Sequence, residues 1–277
     1  VVLFMATIPN PGTAQNEPDN VTRPWTYWWW MGSSVTKVGI TQNLEDMHKA
    51  GIGGAHIIPI YGEKGDEANY VKYLSPEWME LLKHTIGEAK RLGMGVDMTN
   101  GTGWPFGGPK VSVNDAAKVF YLKPVKIEEG ANVRNYQKKN DQSHLIVLAA
   151  YDERGNYSDI TSRVDSDGNI QWGEFQKSAK VIAAFGGLTQ QKVKRSAPGG
   201  EGLVIDYFSN NSIVNYMEGF ERAFKLSGIE KGGIRSFYND SYEVYGANWT
   251  SDFLTEFKKR RGYELLPYIN FLTDTSE

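Results

Sequence analysis

The run Trp25-Thr26-Tyr27-Trp28-Trp29-Trp30-Met31 is apolar almost throughout, as a strand must be when both of its faces are covered. A repeating rhythm follows it. Ile40, Leu44 and Met47 recur at helical spacing, and Gly51 and Gly53-Gly54 stop that helix. Ala55-His56-Ile57-Ile58-Pro59-Ile60 reads as a second strand. Ser75-Pro76-Glu77 opens the next helix with a cap, a first-turn proline and an acid near the positive end. Trp78, Leu81, Leu82, Ile86, Ala89 and Leu92 form its inner stripe, Gly93 ends it, and a third strand runs from Met94 to Asn100. Strands alternating with single helices specify a parallel sheet with right-handed crossovers.

The rhythm breaks after Gly108-Pro109. Between Val111 and Arg195 the sequence shows β-type runs, such as Leu145–Ala150 and Val181–Phe185, separated by turn signals. Asp165, Asp167 and Asn169 alternate as in a calcium loop, but Gln176 stands where that loop needs a glutamate, so a hairpin turn is expected. The alternation resumes at Gly202–Phe208, followed by a helix with Ile213, Met217, Phe220 and Phe224 on one face, a buried strand Gly233–Tyr238, and a helix ending at Arg261-Gly262. That makes four barrel strands, or five, where a closed barrel needs eight. The expected fold class is therefore α/β, the N-terminal half of a (β/α)8 TIM-type barrel with an inserted β-rich module. Its parts are the first βα units over 21–110, the insert over 111–200 and further βα units over 201–277. An open half-barrel leaves a long edge, so the chain reads as truncated at its C-terminus and is expected to be inactive alone. The start, 1–20, carries the apolar run Val1–Ile8 and small residues after it, like the remnant of a secretory leader. That run is too short to span a membrane.

Composition narrows the function classes. Thirty basic and 33 acidic side chains, well mixed, imply no polyanion-binding surface, so a nucleic-acid partner is not expected. With no cysteine there is neither a disulfide nor a thiolate metal site. The glycine pairs Gly107-Gly108 and Gly199-Gly200 fit neither a dinucleotide fingerprint nor a P-loop, so no nucleotide or redox cofactor is expected. Aromatic residues are plentiful, and several sit beside Gly, Asn and Asp in loop-like contexts where binding is a fair reading.

Chemistry concentrates at Phe237-Tyr238-Asn239-Asp240-Ser241-Tyr242-Glu243, where a strand ends in two acids three residues apart. Acids at strand carboxyl ends are where a parallel barrel keeps its reactive groups, and bordering aromatics suit a sugar ring. Glu243, flanked by Tyr242, Val244 and Tyr245, is the candidate general acid, since apolar neighbours favour a protonated carboxyl. Asp240 is the candidate supporting group, and a simple helix cap is the alternative role for either acid. Trp30, His56, Asp97, Asn100, Trp104, Asp206 and Tyr242 are the candidate substrate contacts, most of them expected at strand carboxyl ends converging on one mouth. Asp97 and Asp206 are visible candidates for the partner carboxylate. No metal ligand can be chosen from the sequence.

Several motifs occur in one order: Arg23-Pro24-Trp25 leading to Trp28–Gly32, Gly51-Ile52-Gly53-Gly54, Ser75-Pro76-Glu77-Trp78, Asn100-Gly101-Thr102-Gly103-Trp104, Lys194–Gly200 and Asp240-Ser241-Tyr242-Glu243. Together, from Arg23 to Pro267, they resemble the N-terminal part of glycoside hydrolase family 106, the α-L-rhamnosidases of polysaccharide-degrading bacteria. The resemblance implies a secreted or periplasmic enzyme, a (β/α)8 catalytic barrel with added β domains, inversion at the anomeric carbon, and a calcium ion near the bound rhamnose. It places the acid role on Glu243 and the base beyond Glu277, in the remaining C-terminal half of the same chain. A barrel glycosidase of other specificity, β-galactosidase-like, and an inactive carbohydrate-binding protein remain the alternatives.

Overall fold

The computed structural model describes residues 20–138 and 142–273, so the N-terminal apolar run lies outside the described residues. Strand β1 (Trp25–Met31) is followed by helix α1 (Lys37–Lys49), β2 (Gly54–Ile60), α2 (Pro76–Arg91) and β3 (Gly95–Thr99). Each boundary has a local cause. The Thr36 side chain accepts from Gly39 N at the start of α1. Ser75 accepts from Trp78 N with a proline in the first turn of α2, and Gly93 takes a left-handed conformation (φ 67°) just past its end.

After β3 the chain departs into an antiparallel module. It contains β4 (Gly107–Gly108), β5 (Lys118–Pro124), β6 (His144–Tyr151), β7 (Tyr157–Asp159), β8 (Lys180–Leu188) and β9 (Leu203–Val204). Strands β5, β8, β6 and β7 lie side by side in that order, all antiparallel. The turn at 165–169 closes on itself, with the Asp165 carboxylate accepting from the backbone N–H groups of Asp167 and Asn169, both at 2.9 Å. Helix α3 (Asn210–Ser227), strand β10 (Phe237–Tyr238) and helix α4 (Phe253–Arg261) complete the main elements.

The parallel sheet runs β1-β2-β3-β10. Trp28 and Trp30 of β1, Ile57 of β2 and Val96 and Met98 of β3 pack with Ile40 and Leu44 of α1, Trp78 and Leu82 of α2, and Tyr216 and Phe220 of α3 in one core. All three helices therefore cover the same face. Sequential strand order with helices on one side is what the wall of a barrel would require, whereas a doubly wound sheet has helices on both faces. The wall holds four strands and is not closed among the described residues.

Two expectations about this wall are corrected. The apolar run at Gly202–Phe208 contributes no barrel strand: β9 pairs antiparallel with β4, matching Gly107 to Val204 and Gly108 to Leu203. Close backbone approach dictates this, because a Cβ on Gly107 would lie 2.2 Å from the Leu203 carbonyl oxygen. The fourth strand is also no buried six-residue element. It is an edge pairing of two residues, with Phe237 44% exposed beside Phe220 and Phe224.

Candidate functional site

The face of the wall opposite the helices is built in layers by strand register. Trp25, Gly54 and Gly95 lie side by side on adjacent strands. The Trp25 indole covers both glycines, where an added Cβ would stand 2.5 and 2.4 Å from the ring. One layer on, Tyr27, His56 and Asp97 are aligned. Tyr27 and Trp29 on this face are 56% and 54% exposed, while the alternate residues Trp28 and Trp30 are buried.

Arg235 closes the layer. Its Nε and Nη2 reach the two oxygens of Asp97 at 2.9 and 2.5 Å, and its guanidinium lies 3.7 Å from the Trp25 ring centroid. Ser236 N also donates to Asp97, at 3.0 Å. Burial works against the Asp97 carboxylate, but the hydrogen bonds and charge of Arg235 outweigh it, aided by His56 and Ser236, and hold the group below the ordinary aspartate range. Burial pushes His56 below the ordinary histidine value; Asp97, with its oxygen 3.9 Å from Nδ1, pulls the other way, and Arg235 adds to the depression.

From β10, Tyr238 donates to Asp240 at 3.1 Å, so the 3.2 Å contact between the two phenols has Tyr27 as its donor.

At the carboxyl end of the sheet several loops meet. Tyr61, just past β2, donates its N–H to Arg195 O (3.0 Å), and Trp104 and Lys194 exchange backbone hydrogen bonds at 3.1 and 2.9 Å. Gln191 accepts from Tyr245 N and donates to Glu243 O, both at 2.8 Å, which ties the 191–195 loop to the segment carrying Glu243. Asn100 follows β3, and its main-chain oxygen accepts from the Tyr216 hydroxyl (2.8 Å). Four of the eight buried polar side-chain atoms without a partner among the described residues belong to His56, Asn100, Asn239 and Ser241, on this face or its rim. Such atoms call for further partners.

The sequence-expected residues are distributed unevenly. Asn100 and Trp104 lie at the rim, as do Asp240, Tyr242 and Glu243 in the segment after β10. His56 and Asp97 sit mid-strand on the open face rather than at strand ends, because β2 runs four residues beyond His56 and β3 two beyond Asp97. Trp30 is a correction: β1 parity turns it toward the helices, where it is fully buried against Trp28 and Trp78. Asp206 is another. It belongs to no barrel strand, and its buried carboxylate meets Lys118 Nζ at 3.4 Å and Phe208 N at 3.0 Å.

Glu243 is exposed and Tyr242 and Tyr245 are 70% and 62% exposed, so neighbours in sequence do not enclose its carboxyl in an apolar pocket. Tyr242 rests edge-on to Tyr207, with ring centroids 4.6 Å apart. No local pattern marks Arg235, and Lys194 and Arg195 stand out only as part of the ordered motifs, whereas the alternation of β1 is the signal that marks Tyr27 and Trp29. Among the described residues no three Asp, Glu or His side chains gather as a metal site. The calcium implied by the resemblance therefore finds no such set among the described residues.

The sequence profile of glycoside hydrolase family 106, alpha-L-rhamnosidase, matches residues 15–144 and 149–275. A protein of Formosa agariphila named "Putative beta-glucuronidase" is 28% identical over 299 aligned positions, covering 92% of this chain and 26% of the relative. The solved rhamnosidase of Novosphingobium sp. PP1Y superposes with a TM-score of 0.68 at 17% identity, over 92% of this chain and 42% of that one. This likeness speaks to the fold. The chain thus spans about a quarter of the first protein and under half of the second. On the profile match across nearly its whole length, this chain belongs to glycoside hydrolase family 106, described as alpha-L-rhamnosidase.

Proposed function

We propose that the chain forms part of an exo-acting glycosidase that removes terminal α-L-rhamnose from a plant or bacterial polysaccharide with inversion, and that Glu243 is its general acid. The family match carries this reading. It is supported by an exposed glutamate on the segment that follows β10, tied by Gln191 to the rim loop. The open face, with its exposed aromatics, is proposed to become the lumen of a (β/α)8 barrel completed by sequence outside these residues. A secreted or periplasmic location belongs to the same proposal.

The base is not drawn from the visible carboxylates. Both oxygens of Asp97 are held by Arg235, and Asp206 is engaged by Lys118 and Phe208 N. Neither is free to activate a water. Inversion requires the two carboxyls roughly 6.5–9.5 Å apart, and we propose that the base comes from the same sequence that completes the barrel. The name of the Formosa relative favours a second reading, hydrolysis of a β-glucuronide.

The test compares the complete gene product with Glu243→Gln on an aryl α-L-rhamnoside, a natural rhamnoside and an aryl β-glucuronide. A good aryl leaving group needs little protonation. Retained aryl-rhamnoside hydrolysis with loss of the natural substrate assigns the acid. Equal activity of both proteins removes Glu243 from the mechanism, and turnover of the glucuronide alone selects the second reading.

A further inference from the structure

Among the described residues, two cations on the rim have no anionic partner. Lys194 and Arg195 are exposed, and among the described residues neither side chain meets a carboxylate or donates a hydrogen bond. Both lie over aromatic faces instead: Lys194 Nζ is 4.5 Å from the Tyr245 ring centroid, and the Arg195 guanidinium is 5.1 Å from that of Tyr61 and 5.9 Å from that of Trp104. A guanidinium laid on a ring keeps its in-plane N–H donors pointing outward, free for a bidentate acceptor.

Their backbone is fixed rather than loose. The hydrogen bonds to Tyr61 and Trp104 clamp residues 194 and 195 to the end of β2 and to the loop that follows β3, and Tyr73 N holds Pro198 O at 2.8 Å. A Cβ on Gly103 would come within 2.0 Å of the Lys194 carbonyl oxygen, so the two loops are in direct backbone contact. Arg195 itself is held at φ 55°, a conformation that side chains other than glycine rarely adopt and that the surrounding contacts must enforce. A solvated surface arginine needs none of this. The same loop reaches Glu243 and Tyr245 through Gln191.

We infer that Arg195, assisted by Lys194, recognises an anionic group on a sugar adjoining the scissile bond, so that the substrate is an acidic glycan. This rests on the glycosidase reading above. The chemistry recognised is a planar or tetrahedral oxyanion, supplied either by a uronic acid carboxylate or by a sulfate half-ester.

The test measures kcat/KM of the complete gene product on three matched α-L-rhamnosyl disaccharides whose second sugar is neutral, uronate or sulfated. Wild type is compared with Arg195→Lys and Arg195→Asn, the latter chosen because asparagine tolerates the left-handed backbone; thermal melts verify folding. Wild type is expected to favour one acidic substrate over the neutral one by about 10-fold. The preference should lie in KM, shrink as salt rises from 20 to 300 mM, fall in Arg195→Lys and vanish in Arg195→Asn. Whichever acidic arm shows it identifies the oxyanion. Turnover of all three substrates with equal efficiency by wild type overturns the inference while leaving the glycosidase standing. Should none be cleaved, the proposed activity fails instead. Calorimetric binding of the same disaccharides then decides: tighter binding of an acidic one that Arg195→Asn abolishes upholds anion recognition, and equal affinities end it.

Discussion

Lys118→Met removes the ammonium group that faces the buried Asp206 carboxylate while keeping most of the apolar stem. In the native fold that ammonium lies 3.4 Å from Asp206 and donates to the carbonyl oxygens of Asn114 (2.7 Å) and Ala116 (3.1 Å). The substitution leaves a carboxylate that is 1% exposed, with Phe208 N as its remaining donor. Removing one member of a buried ion pair costs about 3–5 kcal/mol. The long 3.4 Å separation and the surviving N–H place this case near the lower bound, about 3 kcal/mol. At about 2–3 °C per kcal/mol for a chain of this size, the melting temperature should fall by about 6–9 °C. Calorimetric melts of wild type, Lys118→Met, Asp206→Asn and the double variant complete a thermodynamic cycle, with an expected coupling of about 2 kcal/mol. A Lys118→Met melt within about 1 °C of wild type refutes the argument, because the buried charge would then be balanced elsewhere. The cycle also separates two roles for Asp206: a ligand contact loses turnover at constant stability, whereas a structural carboxylate loses stability.

Three further outcomes are expected. Because His56 is depressed in the fold, the unfolded chain takes up its proton first, so stability should decline as pH falls below about 6.5 and should stop declining from this source below the folded value. Asp97 adds a separate loss at lower pH, as pH falls from about 3.9 through its folded value; melts from pH 7.5 to 3 should show His56→Gln flattening only the upper window. Gly95→Ala places a methyl 2.4 Å from the Trp25 indole and should cost about 1–3 kcal/mol; the cost should shrink in a Trp25→Leu background, and an unchanged cost would locate the clash elsewhere. Glu243→Gln should lower hydrolysis of the natural rhamnoside by at least about 100-fold, and of the aryl rhamnoside far less, as steady-state rates will show.

The sequence was legible where its signals are local. The first three strands and two helices follow from apolar periodicity, from Ser75-Pro76 and from Gly93, all within a turn of the features they explain. The run at 202–208 has the right composition for a barrel strand, yet its partner is decided by two glycines some 95 positions earlier. Asp97 could be singled out as a polar residue in an apolar strand, but Arg235 answers it from 138 positions away, and no local pattern announces such a pair. Trp249, six residues after Glu243, stacks on Phe120 of the insert at 4.4 Å, a contact across more than 120 positions. Trp30 was misplaced for a simpler reason: adjacent tryptophans on a strand face opposite ways, and nothing local says which face is the core.

The detour between β3 and α3 also has a cost measured in time. Tyr216 of α3 bonds to the main-chain oxygens of Asn100 and Gly107, yet residues 100–209, about 110 in all, separate the end of β3 from the start of that helix. A ribosome adding 5–20 residues per second takes about 5–20 s to make that stretch. For that interval the apolar stripe of α2 and the outer edge of β3 emerge without α3 or β10 to cover them. The antiparallel module waits as well: Asn248 hydrogen-bonds Phe120 and Lys118 of β5, and Ile269 fills the core against β6 and β8. The β3 edge and the uncovered face of β6 and β8 are therefore the surfaces that a chaperone must guard until the later elements emerge.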